Sequence, residues 1–197
     1  MNKYDWVFFD FDGTLVDSFS ILYDVYDEFL NDFGKSGSKK EFESINGPNI
    51  QEIVTQLKKS HDLSSSENEL LKKYTQKIEY AYQDKIKPFD DRTSLLNHLK
   101  KNGFKMAIVT SAGKKIIEKF IAKHNWNSFF DILITGDEVI YSKPQPEIYL
   151  KCLEKTNADK NRVLVLEDSQ NGYHSATKAG LNCLLISKNI DKNIFYE

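Results

Sequence analysis

Apolar positions along this chain follow two different rhythms. Between residue 18 and about residue 87 they recur at helical spacing. Ile21, Leu22, Val25, Phe29 and Leu30 form a first stripe behind Asp17-Ser18, a pair suited to N-capping. Ile50, Ile53, Val54 and Leu57 form a second stripe after Asn49. Leu70, Leu71, Tyr74, Ile78 and Tyr82 form a third, opened by Ser64-Ser65-Ser66 with Glu69 placed for a capping box. The polar breaks at 34–38 and 46–48 separate these helices. The tyrosines fit the stripes, so packing inside a helical bundle is their expected use.

The other rhythm is that of short apolar runs alternating with helices. Residues 6–9 make one such run, and beyond Pro88 the pattern predicts strands at 105–110, 131–135, 162–166 and 182–186. Helices are expected to end at Asn102-Gly103, to cover 114–123, to begin near Pro146 and to cover 171–178. The run Val163-Leu164-Val165-Leu166 has no polar side to turn to water, as in a parallel strand covered on both faces. The fold expected is α/β: a doubly wound parallel sheet, Rossmann-like, with an inserted α-helical cap domain. Its boundaries are 1–16 plus 88–197 for the core and 17–87 for the cap.

Composition narrows the function classes. The 197 residues include 27 basic and 29 acidic side chains, a net charge of −2. That balance provides no electrostatic footprint for nucleic acid or an anionic membrane. An anionic ligand therefore has to be held by a local site. No stretch approaches a membrane span, and residues 6–9 are too short for a signal-peptide core, so a cytoplasmic protein is expected. Cys152 and Cys183 sit in apolar patterns and read as small buried hydrophobes. They and the four histidines form no zinc-like cluster.

In a doubly wound sheet ligands bind beyond the carboxyl ends of the strands. The polar residues predicted there are Asp10 and Asp12, Thr110 and Ser111, and Glu167 and Asp168, with Lys143 in the loop after the 131–135 strand. Asp10 and Asp12 lie two residues apart in extended chain and can face one site. Two carboxylates that close repel unless a cation sits between them, and a divalent metal with oxygen ligands meets that need. Taken singly, each residue also has a plainer use. Asp12-Gly13 could be a turn, Thr110 a β-branched strand end, Lys143 a surface lysine, and Glu167-Asp168 a favourable charge at a helix N-terminus. As a set they suit phosphoryl transfer, with a carboxylate nucleophile, a second carboxylate moving a proton, and a hydroxyl and an ammonium holding phosphoryl oxygens.

The set resembles the haloacid dehalogenase superfamily, in the expected order along the whole chain. Asp10-Phe11-Asp12-Gly13-Thr14-Leu15-Val16-Asp17-Ser18 is similar to its first motif and Val109-Thr110-Ser111 to its second. Ser142-Lys143-Pro144-Gln145-Pro146 is similar to the third, and Leu166-Glu167-Asp168-Ser169-Gln170-Asn171-Gly172 to the fourth. The resemblance implies Asp10 as nucleophile and Asp12 as general acid/base. It implies Thr110, Ser111 and Lys143 at the phosphoryl group, and Mg²⁺ held by Asp10, the Asp12 carbonyl, Glu167 and Asp168. An acid at position 12 is what the superfamily's phosphatases and phosphomutases carry, whereas its dehalogenases lack one and its ATPases have threonine. The stretches around Lys143 and Glu167 look most like the subgroup of β-phosphoglucomutase and phosphoglycolate phosphatase.

Within that subgroup, Leu22 and Ile50 stand where the mutase carries a cap histidine and a phosphate-binding arginine. An apolar side chain cannot replace a bidentate arginine. The expectation is a Mg²⁺-dependent phosphatase that hydrolyses a small phosphorylated metabolite through an aspartyl-phosphate. The alternatives are a phosphosugar mutase and a non-catalytic phospho-ligand-binding protein. Gly47, Pro48, Asn49 and the first cap helix are the candidates for specificity.

Overall fold

The computed structural model describes residues 2–186 and 189–196. Residues 1, 187, 188 and 197 of the expected core range lie outside the described residues. Five parallel strands form one sheet in the order β3-β2-β1-β4-β5: β1 (Trp6–Phe9), β2 (Lys105–Val109), β3 (Ile132–Ile134), β4 (Val163–Glu167) and β5 (Asn182–Leu185). Every residue of β1 and β4 is buried, as the apolar runs 6–9 and 163–166 require, and Glu167 at the end of β4 is buried with them.

Because side chains alternate across a strand, each central strand feeds two cores. Val7, Phe9, Met106, Ile108, Leu164 and Leu166 pack on one face with α5 (Arg92–Lys101) and α6 (Lys114–Lys123). Trp6, Phe8, Ala107, Val109, Val163 and Val165 pack on the other with α7 (Glu147–Thr156) and α8 (Gln170–Lys178). Each large side chain so buried stabilises the fold by about 1.5–3 kcal/mol.

Between β1 and α5 the chain makes four helices and no strand: α1 (Phe19–Asn31), α2 (Lys39–Ser44), α3 (Ile50–His61) and α4 (Glu67–Tyr80). The predicted stripes supply Phe29, Leu30, Val54, Leu57, Leu70 and Tyr74 to one buried cluster. Asn49 caps α3 by accepting from the Glu52 N–H at 2.9 Å, and Ser66 with Glu69 forms the expected capping box on α4. Ser18 occupies the N-cap position of α1 but makes no capping hydrogen bond. The short helix α2 has too few turns to show a period, and its apolar residue Phe42 is its one buried anchor. Helix α4 runs into a π-helical turn, Ala81–Lys85, a wider winding common at functional sites. No helix among the described residues is long and apolar enough to cross a membrane.

The segments entering and leaving this helical insertion run side by side. The Asp17 N–H donates to the Lys87 carbonyl at 3.0 Å, the Phe89 N–H donates to Leu15 at 3.2 Å, and Val16 forms an isolated bridge with Pro88. Buried Arg92 donates from Nε to the Thr14 carbonyl at 2.7 Å, fixing the loop that follows Asp12. Sequence pattern alone gives no sign of that brace.

Candidate active site

Strand register brings the predicted residues together. Phe9 pairs with Ile108 on one side and Leu166 on the other, so the next residues of three adjacent strands emerge at one level. These are Asp10, Val109-Thr110 and Glu167. The Asp10 N–H continues the ladder to the Leu166 carbonyl at 3.0 Å. Rigid neighbours on both sides thus fix the first carboxylate.

Lys143 reaches into this group from the loop after β3 and is itself buried. Its ammonium donates to Asp10 Oδ1 at 2.7 Å, Glu167 Oε1 at 2.7 Å and the Val109 carbonyl at 3.1 Å. All three ammonium protons are therefore engaged. Burial opposes its charge, yet the Asp10 and Glu167 carboxylates hold its pKa above the ordinary lysine value. Tyr149, from α7, donates its hydroxyl to the same Glu167 Oε1, and no sequence motif had marked it.

Asp10, Glu167 and Asp168 offer oxygens that all lie within 4.8 Å of one another. Burial and then the Glu167 charge push Asp10 well above the usual carboxylate range, against the pull of Lys143. The same two causes lift Asp168 to about 7. These acids sit closer than one lysine can balance, and the donor set is wholly oxygen. That fits a hard divalent cation. Glycines make the approach possible: a Cβ on Gly13 would stand 2.0 Å from Asp168 Oδ2, and one on Gly172 2.0 Å from Glu167 Oε2. Gly13 also takes φ +75, which other residues rarely adopt.

The Asp12 carboxylate lies apart from that trio. Its Oδ2 accepts a hydrogen bond from the Tyr82 hydroxyl, and its Oδ1 is buried without a partner. Burial raises its pKa despite the Tyr82 contact. Tyr82 belongs to the π-helical turn and is 5% exposed. It packs as predicted, stacking on Phe11 with ring centroids 6.3 Å apart, but its hydroxyl faces the acid, which helical periodicity cannot express.

Thr110 and Ser111 both line the cavity beside Asp10. Thr110 Oγ1 accepts from the Ala112 N–H at 3.1 Å. Ser111 instead donates its hydroxyl to the Gly47 carbonyl of the helical insertion. Three further contacts cross the same gap. Asn171 Nδ2 donates to the Asn46 carbonyl at 2.6 Å, and Ser142 donates to Glu52 Oε1 at 2.8 Å. Gly47 and Pro48 line the cavity, while Asn49 lies at the α3 cap and donates its N–H to Ser142 at 3.1 Å.

A doubly wound sheet with acids, a lysine and a threonine gathered at its carboxyl edge defines a hydrolase-type site. The chain belongs to the haloacid dehalogenase-like hydrolases, whose family model matches residues 7–186. It falls in the subgroup that includes phosphoglycolate phosphatases and β-phosphoglucomutases. The phosphorylated carbohydrates phosphatase of Thermotoga maritima is 27% identical over 175 residues, covering 89% of this chain and 81% of that protein. The bifunctional riboflavin kinase/FMN phosphatase of Arabidopsis thaliana is 28% identical over 181 residues, covering 91% of this chain. This chain spans 48% of that longer protein. The fold also matches the crystal structure of CbbY from Rhodobacter sphaeroides in complex with phosphate, with a TM-score of 0.80 at 22% identity over 91% of this chain and 84% of that one.

Proposed function

We propose that this hydrolase is a Mg²⁺-dependent phosphomonoesterase acting on a small phosphorylated metabolite, with residues 17–87 as a cap over the catalytic edge. The observation that carries this reading is the separation of two carboxylates two residues apart. Asp10 sits among Lys143, Glu167 and Asp168, whereas Asp12 faces Tyr82. In this reading Asp10 makes the nucleophilic attack and Asp12 moves the proton.

In the first step an Asp10 carboxylate oxygen attacks phosphorus, the bond to the ester oxygen breaks, and Asp12 gives its proton to the leaving alkoxide. The raised pKa of Asp12 suits an acid that begins protonated. In the second step Asp12 takes a proton from water, whose oxygen attacks the phosphorus of the aspartyl-phosphate; the bond from phosphorus to the Asp10 oxygen breaks, which releases inorganic phosphate and restores the carboxylate. The Thr110 hydroxyl is proposed to steady a non-bridging oxygen, and so is the Lys143 ammonium, which would exchange one of its three present contacts for the phosphoryl group. Asp10, Glu167, Asp168 and the Asp12 carbonyl would hold Mg²⁺, whose contribution is positive charge that keeps Asp10 ionised and offsets charge on the phosphoryl group. Ser111 serves the cap junction through Gly47, with only its backbone left for the phosphoryl group.

A phosphate-release assay with Mg²⁺ against EDTA tests this function. Turnover is expected only with the metal, and Asp10→Asn should lower kcat by at least about 10⁴-fold, the scale for loss of a nucleophile. Undiminished release from that variant would refute the nucleophile assignment.

A further inference from the structure

The cavity has walls of opposite character. Its charged side chains, Asp10, Asp12, Lys143 and Asp168, all come from the sheet edge and its loops. The helical insertion faces them with Leu22, Phe42, Ile50, Ile53, Tyr74 and Ile78. The polar side chains on this wall are Asn46, Tyr74 and Tyr82, none of them a cation, and the Tyr82 hydroxyl is committed to Asp12. The Asn46 and Gly47 carbonyls are taken by Asn171 and Ser111.

We propose that the alcohol released from the phosphate ester is small, uncharged and predominantly apolar. This rests on the phosphomonoesterase function above and names its substrate class. The phosphoryl group belongs at the charged floor, so the rest of the ester lies against the insertion. A second phosphate or a carboxylate there would meet no cation and would face the floor's acids across the cavity. A polyol would lose its water without enough partners to replace it, whereas an alkyl group gains by leaving water. The cavity volume is about 100 Å³. A cavity of that size holds several water-sized groups, which keeps the alcohol small.

The test compares esters of primary alcohols under Mg²⁺, reading released phosphate. 3-Methylbutyl phosphate is expected to exceed glycerol 3-phosphate and phosphoglycolate in kcat/KM by about ten- to a hundredfold, the range an apolar pocket gives. Ile50→Lys, at a half-buried wall position, should shrink that ratio by about tenfold by placing a cation opposite the floor. Leu22→Asn should shrink it too, and circular dichroism checks that each variant is folded. Butylphosphonate, which cannot be hydrolysed, should bind with a negative heat-capacity change. Equal or better turnover of glycerol 3-phosphate or phosphoglycolate overturns the substrate class and leaves the phosphatase function standing. Absence of release from every ester, with wild type matching Asp10→Asn, overturns the phosphatase function and the substrate class with it.

Discussion

The strand tips and the inserted helices meet at one cavity and bring opposite chemistries to it. At the strand tips, charge is concentrated in the interior: Asp10, Lys143 and Glu167 are all buried, and their stability depends on one another. The insertion buries apolar side chains and leaves its lysines at the surface, as with exposed Lys39 and Lys59. A buried cluster of acids is costly unless it is paired, so such clusters are kept where they have work to do. An apolar wall is inexpensive and easily altered, so substrate choice can vary there while the chemistry stays fixed. Tyr82, Ser111, Ser142 and Asn171 are among the points at which the two regions touch.

The largest expected effect separates the two walls directly. Lys143→Met strands Asp10 and Glu167 without a counter-charge, and denaturant unfolding should show a loss of about 3–5 kcal/mol with phosphate release abolished. A comparable loss from Ile50→Ala on the opposite wall would dissolve the contrast. Tyr82→Phe acts at the contact between walls. It leaves Asp12 short of a buried partner, and we expect kcat to fall about tenfold with KM little changed, alongside about 1–3 kcal/mol of lost stability.

The acids of the charged wall also respond to pH. Asp168, with Asp10, binds protons in the folded state that the unfolded chain has already released. Stability of the metal-free protein from these groups is therefore full below about pH 4 and lost as pH rises toward 7. Millimolar Mg²⁺ replaces those protons, so the melting temperature should gain more from Mg²⁺ at about pH 8 than at about pH 5. Equal gains at both would place the metal elsewhere. The smallest effect belongs to Ser111→Ala, which removes one hydrogen bond across the gap and should cost about 0.5–1.5 kcal/mol in thermal unfolding, with kcat/KM within severalfold of wild type.

Much of this architecture is legible in the sequence. Helices α3 and α4 began at the polar residues that cap them, Asn49 and Ser66, because capping depends on neighbours within one turn. Every strand of the sheet is visible as a short apolar run: the buried central strands carry no polar alternation, and the more exposed β5 still offers Cys183, Leu184 and Leu185. Helix α2 was not, because six residues cannot display a helical period. Among the site residues, Asp10, Thr110, Lys143, Glu167 and Asp168 were marked by their positions after strands, and the parallel register gathers them.

The alternation of strands and helices along the core, the acids at the strand ends and the family they indicate are all written in the sequence. These are local matters of period, capping and motif. Only the tertiary structure decided that Tyr82 meets Asp12 across 70 residues of chain, that Tyr149 braces Glu167, and that Ser111 turns to Gly47. It also decided that one wall of the cavity carries the charge and the other is apolar. A stripe pattern says which side of a helix is buried. What that side is buried against depends on contacts between residues far apart in the chain, and no local pattern records them.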